Sequence, residues 1–100
     1  MSAFRPRSLS MSDSFFKAIA DANRRKILLL LKKRGTMSAG DIAKYFDISK
    51  PALSEHLKIL KNADLITAIK KKQYIYYALN TTVFEDILAY IAEILNKREV

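Results

Sequence analysis

Residues 38–63 run Ser-Ala-Gly-Asp-Ile-Ala-Lys-Tyr-Phe-Asp-Ile-Ser-Lys-Pro-Ala-Leu-Ser-Glu-His-Leu-Lys-Ile-Leu-Lys-Asn-Ala, and this stretch decides the fold. Ser38 is a residue type that caps helix N-termini, and Asp41 stands three positions on. The pair is a partial capping box, because Glu or Gln usually fills the second place. Ile42, Ala43 and Phe46 then form an apolar stripe, which predicts a short helix over Ser38–Phe46. Ser49 is a second N-cap, and Pro51 falls in the first turn of the helix it opens, where a missing N–H has no helical acceptor. That helix is predicted from Lys50 to Ala63. Leu53, Leu57 and Leu60 recur at helical spacing and face inward, while Pro51, Ser54, Glu55, Lys58 and Asn62 point away. Lys50 and Lys61 flank the outer face. Two short helices joined by a tight turn make a helix-turn-helix.

The segments on either side fit that unit. Ile66–Ile69 and Tyr74–Leu79 are rich in β-branched and aromatic residues and predict two strands, joined by Lys70-Lys71-Lys72-Gln73. A recognition helix can meet base edges in the major groove while a basic hairpin lies on the neighbouring backbone. Val83–Lys97 predicts a last helix in which Phe84, Ile87, Leu88, Ile91, Ile94 and Leu95 repeat at a spacing of about 3.5 residues, with Glu85, Asp86 and Glu93 outside. With Val83 and Tyr90 the apolar arc spans about 160°, more than one face of a small domain requires. Upstream, Phe15, Phe16 and Ile19 share a face of a helix over Asp13–Ala20. Asp21 caps a second helix that buries Ile27, Leu28, Leu30 and Leu31 and ends at Gly35. Arg24, Arg25 and Lys26 in its first turn oppose the helix dipole, so propensity does not account for them. Residues 1–12 show no periodicity and predict a flexible basic tail, leaving 13–100 as one domain. The fold expected is mainly α with a small β-hairpin (α+β): a winged helix-turn-helix in the order helix-helix-helix-helix-strand-strand-helix.

Composition narrows the function. The chain has 100 residues and a formal net charge of +8, from 18 Lys and Arg against 10 Asp and Glu. Residues 1–48 carry +6, residues 49–79 carry +4 and residues 80–100 carry −2. A polyanionic partner is indicated, and the last helix needs another task. No cysteine is present, which excludes disulfides, thiolate metal sites and a thiol nucleophile. Two glycines leave no phosphate-cradling loop, and the longest apolar run, Ile27–Leu31, is far short of a membrane span. One histidine and no paired inward carboxylates supply no nucleophile–base pair, so no enzyme is expected.

Several strings resemble the bacterial ArsR family of winged helix-turn-helix repressors. They are Ile19-Ala20-Asp21 with Arg24 and Ile27-Leu28, Asp41-Ile42-Ala43, Ile48 through Leu60, Lys61 through Ile66, and Tyr77-Ala78-Leu79-Asn80. Ser54-x-His56-Leu57-Lys58-x-Leu60 is the most specific of them, and Ile75 through Thr82 resembles the metal-free autorepressors of the family. The resemblance implies a homodimer paired through its terminal helices on an inverted repeat, cytoplasmic and nucleoid-associated in a bacterium. The DNA-binding set is then Ser49, Lys50, Pro51, Ser54, Glu55, His56, Lys58, Lys61, Lys70, Lys71 and Lys72. Within it Lys50, Ser54 and Glu55 probe bases, and the other lysines anchor phosphates. The dimer set is Phe15, Phe16, Phe84, Ile87, Leu88, Ile91, Ile94 and Leu95. No cofactor and no metal site is expected, because the family's sensing cysteines and last-helix histidines are absent here. Partners are double-stranded DNA and a second copy, with a protein acting as inducer or sequestering factor admitted and membrane insertion not.

Three departures from the family pattern bear on structure. The usual wing-tip glycine falls at Lys72, the usual proline after Asp21 at Ala22, and the glycine between the helices at Asp47. A lysine held at positive φ costs roughly 1–2 kcal/mol, so strain or a rearranged turn is expected at the wing. Aspartate tolerates that conformation better. His56 borders the buried face of its helix, and two contacts stay open for it, one inside the domain and one to DNA, with a pH-switch or metal role as the lesser alternative. A non-specific architectural DNA binder and a winged-helix protein-interaction module remain the alternatives to a repressor.

Overall fold

A computed structural model describes residues 6–96, with side chains described for residues 13–96. The elements are α1 (Pro6–Ile19), α2 (Ala22–Arg34), β1 (Met37–Ser38), α3 (Ala39–Ala43), α4 (Lys50–Asn62), β2 (Ile66–Lys71), β3 (Tyr74–Leu79) and α5 (Thr81–Leu95). The strands form an antiparallel sheet in the order β1-β3-β2, with Met37 opposite Tyr77, Ile66 opposite Leu79 and Lys71 opposite Tyr74. Helices from both halves of the chain pack with the sheet around one core, in which Ile27, Leu31, Ile42, Leu60, Leu65 and Ile66 are sealed from solvent. A winged helix-turn-helix is the result, as expected.

The caps work as the sequence indicates. The Asp21 carboxylate accepts from the N–H groups of Asn23 and Arg24, Ser38 Oγ from Asp41, and Ser49 Oγ from Ala52. Gly35 closes α2 at φ 81°, its N–H donating to the Leu31 carbonyl. Leu30, expected in the core, is only half-buried and packs against it.

Other expectations need correction. The first helix starts at Pro6, not Asp13, so residues 6–12 of the expected tail have helical backbone. Proline suits a helix's first turn, and no glycine interrupts the rest of the helix. Residues 1–5 lie outside the described residues. α3 ends at Ala43 rather than Phe46, and the chain leaves it through short bonds from Tyr45 N to Ile42 O and Phe46 N to Ala43 O. β1 adds a third strand to the expected hairpin.

The left-handed positions also differ from expectation. Asp47 is not among them; Asp64 is, at φ 62°. It closes α4 in a Schellman arrangement, with Leu65 N donating to Leu60 O and Asp64 N to Lys61 O. At the wing, β2 runs on to Lys71, leaving only Lys72 and Gln73 in the turn. Lys72 sits at φ 58° while Gln73 has no positive φ, the pattern of a two-residue hairpin turn that favours glycine first. The wing therefore carries the strain rather than rearranging. Replacing Lys72 with glycine is expected to raise stability by about 1 kcal/mol, read as a higher thermal midpoint. An unchanged or lower midpoint would count against strain at this turn.

Candidate nucleic-acid interface

α4 owes its orientation to its two faces. Leu53, Leu57 and Leu60 are buried, and on the opposite side Lys50, Pro51, Ser54, Glu55, Lys58 and Lys61 are exposed. Among the described residues none of those outward polar side chains makes an intramolecular hydrogen bond or ion pair, so their donors and charges are available to a ligand. Ser49 differs: its hydroxyl is engaged in capping, and it holds the helix start. A groove of about 230 Å³ runs between α3 and α4, lined by Ala39, Gly40, Ala43, Lys50 and Ser54 above Leu53 and Leu57. The small α3 residues leave that side of the N-terminal turns of α4 open.

Lys70, Lys71 and Lys72 are exposed on the wing, Lys70 and Lys71 as strand residues and Lys72 in the turn. With Lys58 and Lys61 they give cations on two successive elements, with polar tips on the first turns of α4. Such a surface can neutralise phosphates and hydrogen-bond to base edges.

His56 stands apart from this face. Its side chain is 15% exposed and points to the start of α2, where Arg24 Nη1 donates to Nδ1 over 3.2 Å. Of the two contacts open for it, the one inside the domain is present. The basic run on α2, which propensity left unaccounted for, is explained here too. Arg24 Nε and Nη2 donate to the carbonyls of Ala18 and Lys17, and Arg25 Nη1 to that of Ile19. Lys26 Nζ donates to the Tyr45 carbonyl and lies 4.6 Å from the centre of the Phe46 ring. These three cations cap the end of α1 and fasten the helix-turn-helix. Sequence reasoning missed them because their acceptors are carbonyls of other elements, which leave no mark in side-chain pattern.

Asp21 serves the same junction. Its partial burial works to raise its pKa, but the N–H groups of Arg24 and Asn23 and the electrostatic influence of the neighbouring His56 and Arg24 side chains outweigh this and hold the carboxyl below its ordinary value.

The residues expected in the dimer set divide. Phe15 and Ile87 are buried in the chain's own core, and Phe84 is half-buried, its ring edge-on to Phe15 at 5.4 Å. Phe16 (44%), Leu88 (67%), Ile91 (38%), Ile94 (61%) and Leu95 (68%) are exposed. The wide apolar arc on α5 thus serves two surfaces, one packed inside the domain and one open.

Residues 21–68 match the family described as bacterial regulatory protein, arsR family. The chain is 54% identical over 85 residues to the transcriptional repressor SdpR of Bacillus subtilis, covering 85% of this chain and 93% of that one. It is 39% identical to an arsenical resistance operon repressor of the same organism, over 74% of this chain and 70% of the relative. Among solved structures, an ArsR family transcriptional regulator superposes with a TM-score of 0.83 at 28% identity, over 98% of this chain and 97% of that one.

Proposed function

We propose, for a chain that belongs to the ArsR family of bacterial regulatory proteins and is one of its DNA-binding transcriptional repressors, that it acts as a homodimer on an inverted-repeat operator. In this reading α4 enters the major groove, where Lys50, Ser54 and Glu55 probe bases. Lys58 and Lys61 anchor phosphates beside it, and the wing lysines Lys70, Lys71 and Lys72 hold the flanking backbone. The observation that carries the reading is the outward face of α4, whose polar side chains have no partner within the described residues while its inward leucines are buried.

The open apolar face on α5 supports the dimer. Single exposed leucines are common, but Leu88, Ile91, Ile94 and Leu95 lie on successive turns of one helix. The protomer's radius of gyration, 15.5 Å, also exceeds the ~13 Å of a compact domain of this length. An isologous two-fold pairing would present two recognition helices about one helical turn of DNA apart. With no cysteine in the chain, release from DNA does not follow the thiolate route, and a protein partner acting as inducer or sequestering factor is one route left open. A regulator working this way acts in the cytoplasm, on the nucleoid.

The test is binding to DNA from upstream of the gene, with unrelated DNA as competitor. Lys71→Ala is expected to weaken all sequences alike and to reduce the salt slope by about one. Ser54→Ala is expected instead to change the ratio between the gene's own DNA and competitor. Equal affinity for both DNAs in the unaltered protein would favour the architectural reading. No affinity for either would leave the interaction module.

A further inference from the structure

The junction of α1, α2 and α4 carries an inference that rests on the DNA-binding reading above. The Arg24 side chain reaches out to two other elements: two contacts go to α1 carbonyls, at 2.6 Å from Nε to Ala18 and 3.1 Å from Nη2 to Lys17, and one to His56 on α4. A guanidinium can only donate, so His56 Nδ1 accepts and the ring proton resides on Nε2. Asp21 Oδ1 lies 3.9 Å from the same nitrogen, but this oxygen already accepts from the N–H groups of Asn23 and Arg24. The groups facing the ring are therefore Arg24 and Asp21 from α2, with α1 contributing the carbonyls that anchor Arg24.

We infer that Arg24 and His56 are positioning residues which fix the angle of the recognition helix against α1 and α2, and that the fixture holds only while His56 is neutral. Protonation turns Nδ1 into a donor and sets a positive ring against a guanidinium that has no other acceptor on α4. The ring then turns toward Asp21, and α4 loses its tie to α1. DNA affinity falls on acidification, as this one histidine takes up a proton. The sign is diagnostic. Histidine protonation acting through charge alone would add a cation and strengthen DNA binding.

The experiment uses the full chain and the best 40-base-pair duplex selected from a random pool at pH 7.5, with affinity measured from pH 8 to 5.5. The unaltered protein is expected to bind about fivefold more weakly at pH 5.5 than at pH 7.5, with its circular dichroism unchanged. His56→Gln keeps an acceptor for Arg24 and cannot titrate in this range; it is expected to bind nearly normally and to flatten the profile. His56→Leu removes the acceptor and is expected to bind weakly at every pH. Nitrogen-15 spectra of the ring should show the Nε2–H tautomer at pH 7.5. Affinity that rises or stays level on acidification, or a profile retained by His56→Gln, overturns the inference with the DNA reading intact. An Nδ1–H tautomer overturns it independently of DNA. Failure of the unaltered protein to prefer any selected duplex instead brings down the DNA reading, and with it the role assigned here.

Discussion

Replacing Leu88 and Ile91 together with glutamate is expected to convert the protein from dimer to monomer at about 10 µM and to weaken operator binding by more than about 100-fold. Both side chains are open in the protomer, at 67% and 38% exposure, so the substitutions should not disturb the fold, and the far-ultraviolet dichroism should not change. In a paired seam each would be covered, and burying one such side chain contributes about 1.5–3 kcal/mol. Two glutamates per protomer replace that gain with charges that must stay hydrated. The loss on DNA follows from linkage: a dimer delivers its second reading helix at high effective concentration, an advantage of about 10²–10⁴-fold that a monomer forfeits. Mass by light scattering and affinity by anisotropy are the measurements. Leu29→Glu is the control, since Leu29 is 69% exposed but lies on α2. A variant that stays dimeric, or a Leu29 change that dissociates the protein, would refute the α5 seam.

Leu60→Ala is expected to produce the largest loss of stability, about 3 kcal/mol, within the range of about 2–5 found for buried leucines. Leu60 is fully sealed, and its carbonyl accepts from Leu65 in the turn that closes α4, so the site has little freedom to collapse. That loss is a large share of the roughly 5–15 kcal/mol that holds such domains together, and for a domain of this size the thermal midpoint should fall by roughly 12–24 °C. Its effect on DNA should act through the folded fraction alone and vanish at low temperature. Lys58→Ala, on the same helix but exposed, should change stability by less than about 0.5 kcal/mol. Calorimetry of the two variants tests both statements, and comparable losses would contradict the assignment of the two faces.

The amphipathic helices were legible because burial sets their period and caps mark their ends. Asp21, Ser38 and Ser49 each accept the N–H groups their positions predict. β1 was not legible, since two residues show no alternation and Met37–Ser38 are a strand only through pairing with Tyr77 and Tyr76. Which aspartate turns left-handed was equally hidden. Asp47 and Asp64 are both acceptable there, and the choice depends on how α4 must end against Leu65. In the candidate site, the outward lysines and Ser54 could be placed from angle alone. His56 could not, because its partner lies 32 positions away. The apolar residues of α5 were identified as a set, but spacing could not separate Ile87, which the domain buries, from Leu88, which it leaves open.

Asn80 links these surfaces. Its side-chain amide donates to the Asp64 carbonyl at 2.8 Å and its backbone N–H to that of Leu65 at 2.9 Å, while its Oδ1 accepts from Thr82 N at the start of α5. One residue thus clamps the loop that ends α4 to the first turn of α5. In a two-fold assembly built on α5, the direction of each α4 is set from the symmetry axis through this joint. In that proposed assembly the protein would carry its own ruler, and the separation of half-sites it accepts would be a length written into the protomer before any DNA is met.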